Sequence, residues 1–264
     1  MHIASLHSYP VKSCRGIALE RALIGDQGVK NDRRFMVTTP DGTFLTQRQL
    51  PRMAMIQVSV TDDIVELEAP GAPALRFEAQ GSGTPRTVAV WGSPCEVLDL
   101  GDDVAAWFSA YLEAPARLVS MAPGYQRPLH DALPREHDGR LLFADAAPLL
   151  VTSEASLAEL NSRLDEPVPM NRFRPNIVIA GCDPFAEDEW TRFRVGSLEF
   201  ERLIPCGRCA ITTTDQATGA RGKEPLATLA GYRKHPDFGV TFGTYFVHLG
   251  TGAIAVGEEV VIVG

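Results

Sequence analysis

Two cysteines, Cys206 and Cys209, stand on either side of a Gly-Arg pair in the segment LIPCGRCAITTTDQATG, residues 203–219. Thiols at this spacing serve as zinc ligands, as a redox pair, or as a source of one thiolate for another soft metal. A structural zinc site needs four ligands, usually two close pairs. The downstream histidines, His235 and His248, are too far apart in the chain to form a normal second pair. The spacing therefore disfavours zinc.

A thioredoxin-like redox pair places its first thiol at a helix N-terminus, where the helix dipole stabilises the thiolate. The residues after Cys209, AITTTD, include β-branched residues that favour a strand, so this pair is also disfavoured. Arg208 between the cysteines favours thiolate formation, because a nearby cation lowers the pKa of a thiol. Two hypotheses stay open: a pair of buried structural thiols, and one thiolate on a soft metal whose other ligands come from a cofactor.

Six motifs in order along nearly the whole chain resemble those of MOSC-domain proteins, named after the C-terminal domain of molybdenum cofactor sulfurase. They are YPVKSCRG, NDRRFMV, LTQRQLPRMAMI, FADAAPLLVTSEASLAELNSRL, NRFRPNIVIAGCDPFAEDEW and PCGRCAITTTDQATGARGKEPLATLAGYR. The amidoxime reducing component and its bacterial relatives are the members that they resemble most. The resemblance implies a molybdenum cofactor, bound through its pterin dithiolene, with Cys209 as the metal ligand and a catalytic residue. It leaves Cys206 as a structural neighbour.

The same resemblance implies where the cofactor is held. Lys12 and Ser13 match the family's phosphate-binding pair. Arg33 matches a cofactor-contacting arginine, with Asp32 beside it to hold the guanidinium, although a shift of one residue would put Arg34 there instead. These residue types suit an anionic ligand, because a cation and a short hydroxyl donor commonly share the oxygens of a phosphate.

Further cofactor contacts are implied in two later segments. Arg174 and Asn176 in NRFRPN match cofactor contacts, and the proline between them disfavours helix and predicts an extended segment with both side chains on one side. Arg172 is expected on the surface. Thr212 is expected at the metal environment or in a strand, and Arg48 is a further candidate for a cofactor contact.

Asp145 in FADAAP matches an aspartate that the family keeps near the open side of the metal. Its implied catalytic role is to donate a proton or to position the substrate. The local sequence is also typical of an aspartate that caps a turn before Pro148. Both interpretations stay open at this point.

Two groups of short alternating or β-branched segments must position these residues. The first group comprises MAMIQVSV, IVELEA, LRFEA, TVAVW and CEVLDL, and the second NIVIAG, RFRVGSLEFERLI, VTFGTYFVHL and EEVVIVG. We predict an α+β, β-rich protein with an N-terminal β-barrel-like domain over residues 1–118 and a MOSC β-barrel domain with a few helices over residues 119–264. The boundary lies just before or within the proline-rich and polar segment 121–140.

Three helices are predicted. Apolar residues recur at helical spacing in GDDVAAWFSAYL behind an aspartate cap. Ser153 is the predicted N-cap of a second helix, with Leu157, Leu160 and Leu164 on one face. Pro225 stands near the first position of a third helix, where its missing N–H does no harm.

The amino-acid composition and net charge argue against several classes of function. The 264 residues are 45% hydrophobic and 22% charged, which indicates a folded protein with a substantial core. The formal net charge of −8 argues against a general nucleic-acid binder, which needs a basic surface. No signal peptide and no apolar run of roughly 20 residues is found, and the cysteine count of five is odd. We therefore expect a cytoplasmic protein with no membrane or nucleic-acid partner.

The resemblance implies a molybdenum-dependent oxidoreductase that reduces N-hydroxylated compounds: amidoximes, hydroxylamines and N-hydroxylated bases. Its cofactor would be Mo-molybdopterin, and pyridoxal phosphate would not be required. We expect no C-terminal ferredoxin-like domain of the kind that some relatives carry, so electrons are expected from a separate flavoprotein reductase, haem carrier or iron–sulfur carrier. Two alternatives stay open: a sulfur carrier with a persulfide on Cys209, and a molybdenum cofactor carrier without enzymatic activity.

Overall fold

The protein is strand-rich, as predicted. The computed structural model describes residues 1–79, 83–125, 127–128 and 140–264. Within these ranges the chain forms 21 strands, three α-helices and four short 3-10 helices, so the α+β, β-rich prediction is confirmed. Most of the predicted connection over residues 121–140 lies outside the described residues.

The bounds of the elements follow in chain order. The strands are β1 His2–Ser8, β2 Ile17–Leu19, β3 Arg21–Gly25, β4 Gly28–Val29, β5 Phe35–Thr38, β6 Gln57–Thr61, β7 Ile64–Glu68, β8 Leu75–Glu78, β9 Thr84–Val90, β10 Ser93–Asp99, β11 Arg117–Met121, β12 Arg127–Pro128, β13 Arg140–Leu141, β14 Leu149–Ser153, β15 Ile177–Ala180, β16 Arg192–Val195, β17 Leu198–Gly207, β18 Lys234–His235, β19 Gly239–His248, β20 Gly252–Ala255 and β21 Val260–Ile262. The α-helices are α1 Asp102–Leu112, α2 Glu154–Asn161 and α3 Leu226–Ala230, and the 3-10 helices are Pro51–Met55, Met170–Arg172, Ala186–Asp188 and Ala210–Thr213.

The largest sheet has nine strands, in the order β2-β1-β15-β14-β19-β17-β16-β21, with β18 paired to β19. Only the β14–β15 pair in it is parallel. The smaller sheets are β5-β11-β10-β9, β20-β3-β4, β6-β7-β8 and β12-β13. Each strand order runs from one edge to the other, so no closed barrel is formed by strand pairing among the described residues.

Strand pairing connects the beginning of the chain to its second half. Strand β1 pairs antiparallel with β15, with Leu6 opposite Ile177. Strand β3 pairs with β20, with Arg21 opposite Ala255. The division into residues 1–118 and 119–264 stays a prediction, and the two sheets concerned contain strands from both sides of it.

Two hydrophobic clusters fill most of the interior. One packs α1 against the N-terminal strands and includes Phe35, Met53 and Phe108, all fully buried. The other lies against the nine-stranded sheet and includes Phe193 and Phe246, whose ring centroids are 5.1 Å apart. The site residues described below lie in loops and at strand ends beside these two rigid cores.

The predicted helices are present, with one different cap. The helix α2 begins after Ser153, whose Oγ accepts a hydrogen bond from Ser156 N at 3.1 Å, as the sequence predicts. The helix α1 begins after Gly101 instead of an aspartate cap, because Gly101 adopts φ of +98°, which suits glycine. Pro225 directly precedes α3.

Candidate functional site

One pocket brings together all eight residues that the sequence analysis assigns to the site. It contains about 700 Å³ of empty space, part of which is open to solvent. The eight residues among its lining are Lys12, Ser13, Arg33, Asp145, Arg174, Asn176, Cys209 and Thr212. They come from five separate segments of the chain, which only the folded sheets bring into contact.

Cys209 stands between strand β17 and the 3-10 helix Ala210–Thr213, and it is exposed. The prediction that the following residues favour a strand was wrong, because the threonine hydroxyls stabilise a helical turn. Thr212 Oγ1 donates to Cys209 O at 3.0 Å, and Thr213 Oγ1 donates to Ala210 O at 2.8 Å. Such bonds to the carbonyl three residues back compete with strand formation. The hydroxyl of Thr212 is therefore used by the backbone beside the exposed thiol.

Cys206 has a different environment from Cys209. Its side chain is buried, and its Sγ accepts a hydrogen bond from Arg208 Nη1 at 2.8 Å. Arg208 Nη2 also donates to Phe173 O at 2.7 Å. Burial alone would lower the pKa of Arg208, but the neighbouring Cys206, Tyr245 and Cys209 together outweigh burial and raise it. The structure therefore distinguishes a buried thiol held by an arginine from an exposed thiol, and both line the pocket.

Lys12 and Asp145 form an ion pair in the lining of the same pocket. Lys12 Nζ lies 2.5 Å from Asp145 Oδ1 and donates to Phe143 O at 2.8 Å. The Lys12 side chain is only 6% exposed, whereas that of Asp145 is 52% exposed. Burial acts to raise the pKa of Asp145, but the Lys12 ammonium outweighs it and holds the pKa at about 2. Asp145 is therefore ionised at neutral pH.

Ser13 and Arg33 lie next to Lys12, and both adopt positive φ, +68° and +46°. The Ser13 side chain is buried, and its hydroxyl has no hydrogen-bond partner within the described ranges. Arg33 Nη1 lies 2.5 Å from Asp32 Oδ2, as the sequence analysis expects for Asp32. Arg34 points elsewhere, toward Asn31 and Asp63, so the structure places Arg33 at the pocket.

Arg174 reaches the pocket in a conformation that the sequence did not predict. Its φ is +57°, so the extended conformation predicted before Pro175 was wrong. Proline excludes the right-handed helical region for the preceding residue, and the chain leaves the 3-10 helix through the left-handed region instead. Arg174 Nη1 donates to Cys14 O at 2.6 Å, and the guanidinium lies 4.3 Å from the centre of the Tyr9 ring. Burial, followed by repulsion from Arg33, lowers the pKa of Arg174 to about 10.

Asn176 connects the pocket arginine Arg33 to the nine-stranded sheet. Its Oδ1 accepts hydrogen bonds from Leu150 N at 3.1 Å and from Arg33 Nη1 at 3.3 Å, and its Nδ2 donates to His7 O at 3.3 Å.

Arg172 is not on the surface, so the prediction for this residue was wrong. Its side chain is 12% exposed and pairs with Asp215 at 2.9 Å.

The pocket is positively charged inside an acidic protein. Among the residues that the structure describes, its lining contains Lys12, Arg33, Arg174 and Arg208 but only one carboxylate, that of Asp145. Arg174 has a carbonyl and an aromatic ring as partners but no carboxylate within ion-pair distance among the described residues. Lys12 and Arg33 are paired with Asp145 and Asp32, whereas Arg174 and Arg208 bond to carbonyls and to a thiol. Buried cations without a carboxylate partner are expensive, so this pocket suits an anionic ligand.

Three residues of the site escaped the sequence analysis. Tyr245 on β19 and Phe173 line the pocket, and burial raises the pKa of Tyr245 well above its ordinary value. Trp91 lies at the rim, where its Nε1–H donates to Asp145 Oδ1 at 3.3 Å. Arg48, predicted as a cofactor contact, instead stacks on the Trp91 ring at 4.9 Å from its centre. Gly92 between two alternating segments is a turn signal that predicts a hairpin next to Trp91, whereas Tyr245 depends on long-range strand pairing.

Within the described ranges, no three His, Cys, Asp or Glu side chains are grouped so that they could hold a metal ion. No helix in the part of the chain that the structure describes is both long and apolar enough to cross a membrane.

Comparison with known proteins gives two domain matches and full-length relatives. Residues 1–115 match the MOSC N-terminal beta barrel domain, and residues 138–261 match the MOSC domain. Mitochondrial amidoxime-reducing component 1 of Homo sapiens is 38% identical over 282 residues, covering 99% of this chain and 83% of that protein. Mitochondrial amidoxime reducing component 2 of Bos taurus is 33% identical over 279 residues, covering 98% and 82%. The solved structure of YiiM from Geobacillus stearothermophilus is 18% identical, covers 45% of this chain and 55% of that chain, and has a TM-score of 0.34, which is too low to support an argument.

Proposed function

Because this chain belongs to the MOSC-domain family, together with the amidoxime-reducing components, we propose that it is a molybdenum-cofactor-dependent reductase of N-hydroxylated compounds. One observation of the structure supports this most directly: an exposed cysteine, Cys209, opens onto a pocket lined by four cations. A thiolate for a soft metal and a cluster of anion-binding groups are what a phosphate-bearing metal cofactor requires.

The pocket residues fit the cofactor by their chemistry. Lys12, Arg33 and Arg174 supply positive charge, and the unpaired Ser13 hydroxyl supplies a short donor, so these four would hold the phosphate and pterin. Cys209 would be the protein ligand of the metal. Asn176 and Thr212 would contact the cofactor through groups that are not already used within the protein.

When bound, the cofactor supplies the two-electron reduction of the N–O bond. The chain's own residues bind and orient the reactants. Asp145 is ionised and fixed by Lys12, so we assign it to positioning: its carboxylate accepts N–H groups of the substrate instead of donating a proton. The phenol of Tyr245 stays protonated at neutral pH and lines the same pocket, which makes it available as a hydrogen-bond donor.

We also propose a separate electron-transfer protein as the electron source, either a flavoprotein reductase or a haem or iron–sulfur carrier. The proposed location is the cytoplasm. The five free cysteines in the structure support a reducing compartment, because thiols persist where the cell keeps them reduced.

Metal analysis tests the role of Cys209. Protein from a host that makes the cofactor should contain about one molybdenum per chain, as expected for a single thiolate ligand, and Cys209→Ser should lose it. Cys182→Ser is the matched control, because Cys182 lies outside the pocket and should keep the metal. Protein without any molybdenum would contradict the proposal, and a persulfide on Cys209 in such protein would indicate a sulfur carrier.

Reduction of benzamidoxime to benzamidine with an artificial electron donor tests the reaction. We expect turnover by the molybdenum-loaded protein and none by Cys209→Ser. Stoichiometric molybdenum without turnover of amidoxime, hydroxylamine or N-hydroxylated base would indicate a cofactor carrier instead.

A further inference from the structure

Trp91 occupies the tip of the hairpin between β9 and β10. Val90 pairs with Ser93, so the loop contains only Trp91 and Gly92. Both have positive φ, +52° and +84°, as a type I′ turn requires. Asn-Gly is the usual pair in this turn, and a bulky residue in the left-handed region is uncommon. The chain therefore keeps a large aromatic residue where the backbone favours a small one.

The indole is oriented by its neighbours, although it is 46% exposed. Its ring contacts Phe44 edge to face, with centroids 5.2 Å apart, and the Arg48 guanidinium lies 4.9 Å from the ring centre. Lys12 Nζ lies 5.7 Å from the centre of the Phe44 ring, which links this aromatic pair to the pocket wall. The Trp91 side chain is thus held in one place at the mouth of the pocket.

The hydrogen bond from Trp91 Nε1 to Asp145 Oδ1 connects this exposed ring to the site. Asp145 is the only carboxylate among the lining residues and is half-exposed. A molecule that enters past Asp145 meets a carboxylate and an indole side by side. This combination suits a planar group that carries N–H donors, because the carboxylate accepts hydrogen bonds while the aromatic surface stacks.

We propose that Trp91 is a specificity-determining residue that forms the aromatic wall of the substrate site. Planar aromatic N-hydroxylated compounds, such as aryl amidoximes and N-hydroxylated bases, stack on its indole while Asp145 receives their N–H groups. Small aliphatic amidoximes have no planar aromatic surface, so Trp91 does not stabilise their binding by stacking. This inference rests on the proposed reductase activity and defines its substrate class.

Two substitutions distinguish stacking by the Trp91 ring from hydrogen bonding by its N–H. Trp91→Asn removes the indole and suits the turn, because Asn-Gly favours type I′ geometry, so folding is retained. Trp91→Phe keeps a smaller aromatic ring and removes the N–H donor. The kcat/KM of each variant is measured with benzamidoxime and with acetamidoxime, using molybdenum-loaded protein and an artificial electron donor.

We expect Trp91→Asn to lower kcat/KM for benzamidoxime about fivefold, the range of one aromatic stacking contact, and to change that for acetamidoxime less than about twofold. Trp91→Phe should stay within about twofold of the wild type on benzamidoxime. Equal losses on both substrates, or no loss on either, would overturn the assignment. Wild-type protein inactive on both substrates would instead contradict the proposed function.

Binding provides a readout that does not depend on turnover. Trp107 and Trp190 are buried, at 8% and 7% exposure, so Trp91 is the exposed one of the three tryptophans. Titration with benzamidine should quench the fluorescence of the wild-type protein with saturation, and this saturable component should be absent in Trp91→Phe. An identical saturable response in both proteins would show that the probe binds elsewhere and would overturn the proposal.

Discussion

Arg174 should be an anion-binding group whose buried positive charge destabilises the folded protein until an anion binds. In the folded protein its pKa is about 10 against an ordinary 12.5. This difference corresponds to about 3 kcal/mol against the charged guanidinium. Arg174→Met keeps most of the side-chain volume and removes that cost.

The same substitution also removes favourable contacts. The bond to Cys14 O contributes about 2 kcal/mol as a charged donor. The contact with the Tyr9 ring contributes about 1 kcal/mol. Gains and losses nearly cancel, so the free energy of unfolding of the cofactor-free protein should change by no more than about 1 kcal/mol.

Arg127 is the matched control, because it is also buried but serves the fold. Its guanidinium donates to Leu142 O at 2.9 Å, to Ala144 O at 2.8 Å and to Asp145 O at 3.1 Å. Arg127→Met leaves three carbonyls without their donor and should cost more than about 3 kcal/mol. Urea unfolding at pH 7 of protein from a host that does not make the cofactor measures both values.

Binding of inorganic phosphate then tests whether Arg174 is an anion-binding group. At 100 times its Kd, phosphate stabilises the wild-type protein by about 2.7 kcal/mol, and Arg174→Met should gain less than about half of that. The general stabilising effect of phosphate acts equally on both proteins and cancels in the comparison. A loss of stability in Arg174→Met as large as that in Arg127→Met, or equal stabilisation by phosphate, would refute the assignment of Arg174 to anion binding.

Two further predictions follow from the contacts. Because Lys12 outweighs burial and lowers the pKa of Asp145 from 3.8 to about 2, the carboxylate's contribution to stability is present above pH 4 and is lost as the pH falls towards 2. In urea titrations at pH 5–7, the free energy of unfolding of the wild type should therefore exceed that of Asp145→Asn by about 1 kcal/mol. The value is modest because Asp145 is half-exposed. A difference that persists at pH 2 would contradict the pairing. A Cβ at Gly207 would lie 2.5 Å from Phe238 O, so Gly207→Ala should lower the free energy of unfolding by about 1–3 kcal/mol. Gly222→Ala, whose Cβ meets nothing closer than 3.9 Å, should change it by less than about 1 kcal/mol, and equal effects of the two would refute the steric reason.

The sequence predicts local structure well where one interaction dominates. Alternation in RFRVGSLEFERLI gives β16 and β17, and the Ser153 hydroxyl caps α2. It fails where a second interaction competes with the first. The threonines after Cys209 bond to their own backbone and form a helical turn, and Arg174 meets the constraint of Pro175 with a positive φ.

The candidate site, too, is predicted from the sequence only in part. The motif resemblance leads to eight residues that the fold places around one pocket. Tyr245 has no local signal, because β19 reaches the site through its pairing with β14, where Leu150 lies opposite Tyr245, and with β17, where Pro205 lies opposite Thr244. Trp91 has a local signal in the turn residue Gly92 that follows it, but its contact with Asp145 joins two segments 54 residues apart. Long-range strand pairing is the part of the structure that one sequence does not reveal.

The pairing of β1 with β15 and of β3 with β20 also bears on how the protein is made. The first strands leave the ribosome long before their partners, so the nine-stranded sheet cannot be completed until most of the chain has been synthesised. A fragment that begins after residue 118 would lack β1, β2 and β3 and would expose the edges of β15 and β20. Unpaired edges of this kind template aggregation. Separate expression of the C-terminal half should therefore yield insoluble protein, and coexpression with the N-terminal half should rescue it.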